Sequence, residues 1–251
     1  MTYKICQVIF STNRLDYLIP TLRAQSKLNF YGCEVHRIFI DDYPKTRNDL
    51  MITELVKLYG YNEVILHQEN KGLSVTWSEF WDLIKDRDYD YVWHQEDDVE
   101  ILETILVTDL IELLKSNPGI SQVQLARQAW YHHEKDPVAN DDDEIYKNFR
   151  FDRRRLIFSP MASLYPLNIA KINYKQHYNY NMNEGLVGRV LYDHHGLTSC
   201  NVRNFHGKQL INHIGDWFVG KRVLPNEPNY SEFAKYDPDV KYNSKTGAEY
   251  K

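Results

Sequence analysis

The sequence predicts an α/β fold in which a Rossmann-like sheet is flanked by helices. Strand-length apolar runs alternate with helical patterns over the first 125 residues, which favours a mainly parallel, doubly wound sheet. Polar, turn-forming residues follow each of the first four predicted strands, where ligands bind in such sheets. Hydrophobic residues make up 43% of the 251-residue chain, enough for one large core or two small ones.

Strands and helices alternate in order through the first half. The apolar, β-branched run at 4–10 predicts a buried strand that ends at a polar turn. Leu15, Leu18, Ile19 and Leu22 then share one helix face, because they are spaced by multiples of about one helical turn. The same reasoning predicts further strands at 34–40, 63–68, 89–95 and 121–126, and helices at about 48–59, 77–84 and 102–115.

The second half is less regular. We expect a polar loop at 134–144, a strand with a turn at 153–167, a helix at 183–196 and a strand with a polar tip at 209–217. Residues 225–251 are polar and rich in Pro and Asn, which predicts an extended tail.

Composition disfavours several classes of protein. The net charge of −5 argues against broad nucleic-acid binding, which needs a strongly basic face. Cys6, Cys33 and Cys200 are odd in number and far apart, which argues against a disulfide framework or a zinc site. The apolar start of the chain is too short for a signal sequence or a transmembrane segment, so we expect a soluble, cytoplasmic protein.

Polar clusters end the first four predicted strands. Because the carboxyl ends of parallel strands meet at one edge of a sheet, we expect these clusters to converge there, unlike acids that merely solvate a surface. The resulting nucleotide-binding candidates are Ser11, Thr12, Asn13, Arg14, Asp41, Asp42, Asn70, Gly72, Glu96 and Asp97.

This edge lacks the glycine-rich loops that usually bind nucleotides. No glycine follows the first strand within residues 11–16, and Gly-Lys-Ser or Gly-Lys-Thr occurs nowhere, so a dinucleotide fingerprint and a P-loop are excluded. Carboxylates with a divalent cation can bind a diphosphate without such a loop, and their oxygens suit Mg²⁺ or Mn²⁺.

Four segments in this order resemble a known family: "VIFSTNR", "IFIDD", "NKGLSVTW" and "VWHQEDDVEI". They are similar to the nucleotide-sugar half of GT-A fold glycosyltransferases, and most of all to glycosyltransferase family 2. The resemblance covers residues 4–103 well and 155–217 loosely. It implies a mixed sheet and one catalytic domain over 1–224, with a nucleotide-sugar half (1–125), an acceptor half (126–224) and the tail (225–251).

An acidic triplet of the Asp-x-Asp type ends the fourth strand in that family. Here the triplet is Glu-Asp-Asp at 96–98, while the literal pattern occurs at 86–88, 88–90, 141–143 and 237–239. Only 96–98 follows the carboxyl end of a predicted sheet strand. By resemblance, Asp98 would ligate the metal and Asp97 would hold the ribose or the sugar, while Glu96 has no firm role.

A histidine near the C-terminus completes the metal site in many GT-A enzymes. His213 in "NHIGDW" follows an apolar strand and resembles that element, although a structural histidine is the alternative in a chain with ten. An imidazole beside carboxylates favours Mn²⁺ over Mg²⁺.

An inverting transferase also needs a carboxylate base opposite the leaving diphosphate. In the family it begins a helix of the second half, which indicates Glu184, with Asp216 as the second candidate. The alternative for Glu184 is an acid that complements the helix dipole. Lys221 and Arg222 would neutralise the diphosphate, unless they form a solvated surface pair.

Our leading hypothesis is a metal-dependent, inverting transfer of a sugar from a nucleotide diphosphate donor to a hydroxyl of a glycan or another acceptor. A UDP-sugar is favoured, with Asp41 or Asp42 on the uracil and residues 12–14 on the nucleotide. A second hypothesis is a nucleotidyltransferase acting on sugar phosphates, although its usual basic, glycine-rich loop is missing. A third is a non-catalytic glycan-binding module with the same fold, which the intact acids and the candidate base disfavour.

Overall fold

The computed structural model describes residues 2–127, 144–174 and 183–214. The helices in these ranges are α1 (Leu15–Ala24), α2 (Asp49–Leu58), α3 (Leu73–Ile84), α4 (Val107–Ser116) and α5 (Glu184–His195). The strands are β1 (Tyr3–Ser11), β2 (Leu28–Asn29), β3 (Cys33–Asp41), β4 (Glu63–Leu66), β5 (Tyr91–Glu96), β6 (Val99–Ile101), β7 (Ile105–Leu106), β8 (Ile120–Leu125), β9 (Glu144–Tyr146), β10 (Phe149–Arg154), β11 (Ser163–Pro166), β12 (Thr198–Asn204) and β13 (Ile211–His213).

Nine of the described strands form one mixed sheet, in the order β4-β3-β1-β5-β11-β8-β12-β10-β9. The first four of these are parallel neighbours. Strand β11 is antiparallel to both β5 and β8, so β8 runs in the same direction as β5. The carboxyl ends of β1, β3, β4, β5 and β8 therefore share one edge of the sheet, which we call the rim.

Helices cover both faces of this sheet. Successive residues of β1 point to opposite faces, so its side chains pack in separate clusters on the two sides. Ile5 packs in a cluster with residues of α4, and Ile9 packs in a cluster with residues of α1 and α2. Cys6, Val8 and Phe10 pack on the other face against α3 and α5. The rim lies at the end of these two apolar layers, and several of its polar side chains are themselves buried, among them Asp41, Asp97 and Asp98.

The predicted α/β class and mixed sheet are confirmed, and the five strands and four helices expected in the first half are all present. The helix expected from 102 begins only at Val107, because residues 99–101 and 105–106 pair as β6 and β7. The sheet also contains strands from both predicted halves of the domain. The division of the domain into halves stays a prediction.

The second half differs more from expectation. Strand β12 was not predicted, because Ser199 and Asn201 are polar although they are buried in the sheet. The strand expected within 209–217 is present at Ile211–His213, while residues 215–217 of that range lie outside the described residues. Of the expected polar loop only Glu144 is described, as the first residue of β9, and the tail at 225–251 lies outside the described residues.

None of the helices in the described ranges has both the length and the apolar character that crossing a lipid bilayer requires.

Candidate active site

The turn after β1 is fastened to the acidic triplet through Asp97. The Oδ2 atom of Asp97 accepts hydrogen bonds from the hydroxyl of Ser11 (2.9 Å) and the backbone N–H of Thr12 (3.1 Å). Its main-chain carbonyl accepts from the hydroxyl of Thr21 (2.8 Å), and its carboxylate pairs with Arg14. Asp97 is fully buried, so these contacts offset the cost of burying its charge.

Asp41 joins the same turn to the end of β3. Asn13 has a left-handed backbone (φ 57°), which lets its N–H donate to Oδ2 of Asp41 at 2.7 Å. The other oxygen accepts from Arg47 (2.8 Å) and from the N–H of Tyr43 (3.1 Å). Asp41 is therefore a buried anchor for two loops of the rim.

Asp42 connects the rim to the start of α3. Its carboxylate accepts from the N–H groups of Lys71 (3.0 Å) and Gly72 (2.6 Å), and it contacts His67 at 2.8 Å. Asn70 caps the same turn by accepting from the N–H of Gly72 at 3.0 Å. The four polar clusters expected to converge on one edge are thus linked by direct hydrogen bonds.

Glu96, Asp98 and His213 form a group in which one potential ligand atom of each lies within 4.8 Å of the others. His213 reaches the triplet because β13 pairs with β6, which follows the triplet directly, and places His213 opposite Val99. The N–H of Ile214 also donates to the carbonyl of Asp98 at 2.9 Å. The strand pairing thus positions a C-terminal residue against the end of β5.

A divalent cation fits this group. The Oδ1 atom of Asp98 is buried without a hydrogen bond, and Nε2 of His213 lies 3.3 Å from it. A buried acceptor without a partner is costly unless something binds it. Two carboxylates and an imidazole make an O/N donor set that suits Mn²⁺ better than a set of oxygens alone.

Burial and neighbouring charges shift the pKa values of the three acids of the triplet. Burial, followed by the nearby charges of Asp98 and Glu184, raises the pKa of Glu96 to about 8. Burial also raises the pKa of Asp97 in spite of Arg14. For Asp98 burial acts in the same direction, but His213 and Arg14 together outweigh it and lower the pKa. A bound cation would favour the charged form of all three carboxylates.

Two arginines face the group. Arg14 approaches Oδ2 of Asp98 at 2.8 Å while it also pairs with Asp97. Arg127, two residues beyond β8, places Nη1 2.9 Å from Nδ1 of His213. Sequence reasoning missed Arg127, although its place just after a strand that ends at the rim was an available signal.

Glu184 begins α5, as expected. Asn183 caps this helix by accepting from the N–H of Leu186 at 2.9 Å. The hydroxyl of Ser159 donates to Oε1 of Glu184 at 2.7 Å. Ser159 is held in turn by Gln122, whose amide accepts from its N–H (3.0 Å) and donates to its carbonyl (2.6 Å). A carboxylate oriented by a chain of buried partners is suited to accept a proton at a defined position.

Solved structures with this architecture include GalNAc-T7, determined with UDP, GalNAc and Mn²⁺. The TM-score is 0.60 at 14% sequence identity, over 91% of this chain and 45% of that one. S. aureus TarS 1-349 gives a TM-score of 0.53 at 12% identity, over 92% of this chain and 68% of that one. The chain has the GT-A fold. No protein-family model and no curated protein sequence matches it.

Within this GT-A fold, the rim brings together most of the residues that the sequence singled out. The described members of that set are Ser11, Thr12, Asn13, Arg14, Asp41, Asp42, Asn70, Gly72, Glu96, Asp97, Asp98, Glu184 and His213. Asp216, Lys221 and Arg222 lie outside the described residues. Arg127, Gln122 and Ser159 are added by the structure.

Proposed function

We propose that the chain is a metal-dependent glycosyltransferase that takes a sugar from a UDP-sugar and transfers it to a hydroxyl acceptor with inversion. The observation that supports this most directly is the group of Glu96, Asp98 and His213 at the rim of a GT-A fold, with a buried oxygen on Asp98 that accepts no hydrogen bond. GalNAc-T7, which shares the fold, was solved with UDP, GalNAc and Mn²⁺.

In this proposal the nucleotide lies over the turn after β1. Ser11, Thr12 and Asn13 would line the nucleotide from that turn, and Asp41 and Asp42 would lie on the side of the base. Because Asp41 and Asp42 already accept several hydrogen bonds each, we propose that they hold the loops around the uracil as well as contacting it. Asn70 and Gly72 would close the same pocket from α3.

Asp98 and His213 would hold the cation, and Glu96 would join them as a third ligand. When bound, Mn²⁺ or Mg²⁺ supplies positive charge against the leaving diphosphate. Arg14 would add a second positive charge, because its guanidinium bridges the two aspartates of the triplet. Lys221 and Arg222 keep their predicted part in neutralising the diphosphate.

Glu184 would act as the base that takes the proton of the acceptor hydroxyl. The hydroxyl of Ser159 donates to one of its oxygens and so orients the carboxylate. Asp216 stays the second candidate on sequence grounds. The acceptor class, a glycan or another hydroxyl compound, and a cytoplasmic location likewise stay predictions.

Titration calorimetry of UDP in the presence and absence of Mn²⁺ tests the proposal on the whole chain. The wild type should bind UDP at least ~10-fold more tightly with Mn²⁺, and Asp98→Asn should remove that gain, since even partners behind a metal ligand contribute 10–100-fold. Asp82→Asn is the matched control, because Asp82 is exposed on α3 and, within the described part of the chain, forms its ion pair with its helix neighbour Lys85.

Two results would count against the proposal. If UDP and other nucleotide diphosphates bind no more tightly with Mn²⁺ than without it, donor binding does not depend on a metal. If the UDP affinities of the wild type and of Asp98→Asn depend equally on Mn²⁺, the cation binds at another site.

Release of UDP from UDP-GlcNAc or UDP-GalNAc would distinguish a transferase from a non-catalytic module that only binds these donors.

A further inference from the structure

Arg127 occupies the side of His213 that faces away from Asp98. Its Nη1 lies 2.9 Å from Nδ1 of the imidazole, whereas Nε2 of the same ring lies 3.3 Å from Oδ1 of Asp98. Both Arg127 and His213 are partly buried, so the contact is shielded from bulk water. The imidazole therefore lies between a guanidinium and a carboxylate.

The contact fixes which nitrogen of His213 carries the proton. A guanidinium can only donate, so Nδ1 must accept, and the neutral ring then carries its proton on Nε2. A protonated nitrogen has no lone pair to give a metal ion. Histidines that ligate metals normally donate their other N–H to an acceptor, but Arg127 presents a donor in that position.

We propose that Arg127 holds His213 in the form that cannot ligate the cation until a diphosphate takes up the Arg127 guanidinium. The inference rests on the proposed function, in which the rim binds a cation and a diphosphate together. Arg127 lies two residues past β8, at the same edge of the sheet as Asp98. Guanidinium groups bind phosphate oxygens in pairs, which makes the diphosphate a competitor for Arg127.

When Arg127 turns to the diphosphate, the proton of His213 can move to Nδ1, and Nε2 then offers its lone pair to the cation. No atom is gained or lost, since the ring only exchanges one tautomer for the other. The two ligands would thus promote each other's binding beyond their direct attraction, and thermodynamic linkage requires the effect to be reciprocal.

Mn²⁺ binding without nucleotide, measured from the EPR signal of free Mn²⁺, tests this directly. Arg127→Gln should bind Mn²⁺ ~10-fold more tightly than the wild type, because its amide oxygen accepts from Nδ1–H and frees Nε2. Arg127→Met should gain less, since it removes the same charge but offers no acceptor. Arg150→Gln is the control for net charge, because Arg150, on β10, donates to the carbonyl of Phe205 and has no described contact with the group.

Repeating the titrations with UDP measures the coupling. The factor by which UDP tightens Mn²⁺ binding should be smaller in Arg127→Gln than in the wild type. Equal Mn²⁺ affinities for Arg127→Gln and Arg127→Met would reduce the effect to charge and overturn the inference. So would an Arg127→Gln variant that binds Mn²⁺ no more tightly than the wild type.

The tautomer can also be read without changing Arg127, so the inference stays testable if that variant does not fold. Long-range ¹H–¹⁵N spectra of the metal-free wild type, with His213 assigned by the loss of its signals in His213→Asn, should show the proton on Nε2. A proton on Nδ1 would overturn the inference. A wild type that binds neither Mn²⁺ nor UDP would instead contradict the proposed function.

Discussion

At the scale of single residues, His94 is fully buried among aromatic rings. Its ring centroid lies 4.2 Å from that of Phe10 and 5.9 Å from that of Trp77, and Nδ1 is 3.4 Å from the hydroxyl of Tyr165. Burial lowers the pKa of His94 to about 3, so the imidazole is neutral in the folded protein at neutral pH. The unfolded chain takes up a proton there near pH 6.5.

Acid should therefore destabilise the protein through His94. Because the folded pKa lies below the unfolded one, the contribution of His94 is retained above about pH 6.5 and is lost as the pH falls toward 3. Between pH 7 and 5 the wild type should lose about 2 kcal/mol more of its unfolding free energy than His94→Phe. The loss is about 1.4 kcal/mol per pH unit and begins only near pH 6.5. Urea denaturation at both pH values measures this, and parallel losses would contradict it.

Glu184 can be tested separately from donor binding. If it takes the acceptor proton, Glu184→Gln should lower the rate of UDP release from a UDP-sugar by roughly 10²–10⁴, because a general base contributes that much. The affinity for UDP with Mn²⁺ should change less than twofold. Glu54→Gln on α2 is the matched control, since Glu54 is exposed to solvent. A loss of UDP affinity in Glu184→Gln would assign Glu184 to the donor pocket instead.

The sequence allowed a site residue to be predicted where that residue directly follows a strand that ends at the rim. Asp97 and Asp98 follow β5 directly, so strand order alone selected them over four literal Asp-x-Asp matches. Glu96 was left without a firm role, because its approach to His213 depends on the pairing of β13 with β6. Arg127 belongs to no motif, so its place two residues after β8 was its only signal in the sequence, and its contact with the imidazole is seen only in the structure.

At the scale of elements, α5 packs closely on the chain segment before Ser159. A Cβ atom added at Gly188 would lie 2.6 Å from the main-chain carbon of Leu156 and 2.7 Å from the nitrogen of Ile157. Backbone atoms cannot move aside as a side-chain end can. Gly188 therefore sets the distance between the helix that carries Glu184 and the segment that leads to Ser159.

Gly188→Ala should cost about 1–3 kcal/mol of unfolding free energy, as overpacking does in other buried sites. Gly185→Ala in the same helix is the matched control, since its Cβ would meet only Asn183 Oδ1 at 3.6 Å. That control should be neutral or gain up to about 1 kcal/mol, because alanine favours the helix. Urea denaturation of both variants measures the difference, and equal stabilities would show that α5 can shift without cost.

Elements were predictable where burial and apolarity coincide. β1 and β3 contain apolar runs of strand length, α3 has apolar residues at the helical period, and all three lie close to their expected positions. β12 has Ser199 and Asn201 at buried positions, and its hydroxyl at Ser199 donates to the carbonyl of Ile157 at 2.5 Å. Polar groups satisfied inside the sheet produce no hydrophobic pattern, so this strand could not be found from the sequence.

At the scale of the whole molecule, the order of strands in the sheet determines where the candidate site forms. β1, β3, β4 and β5 are separated along the chain by helices, yet their parallel pairing brings four polar clusters together. This convergence was predictable, because alternating strands and helices have few arrangements. The insertion of antiparallel β11 between β5 and β8 was not, since no local pattern specifies which strand it will join.

Because the rim draws on strands from across the sheet, ligand binding should stabilise the whole fold rather than one loop. With Mn²⁺ and UDP at 100 times the dissociation constant, mass action adds about 2.7 kcal/mol, which corresponds to roughly 5–10 °C in Tm for a domain of this size. Asp98→Asn should show little of this shift under the same conditions.

Calorimetry should also give one transition, since Asp97 ties β1 to β5 and Asp41 ties β1 to β3. A ligand-induced second transition would mean that part of the site unfolds independently of the sheet, and β13 is the candidate, because it pairs with β6 over only three residues.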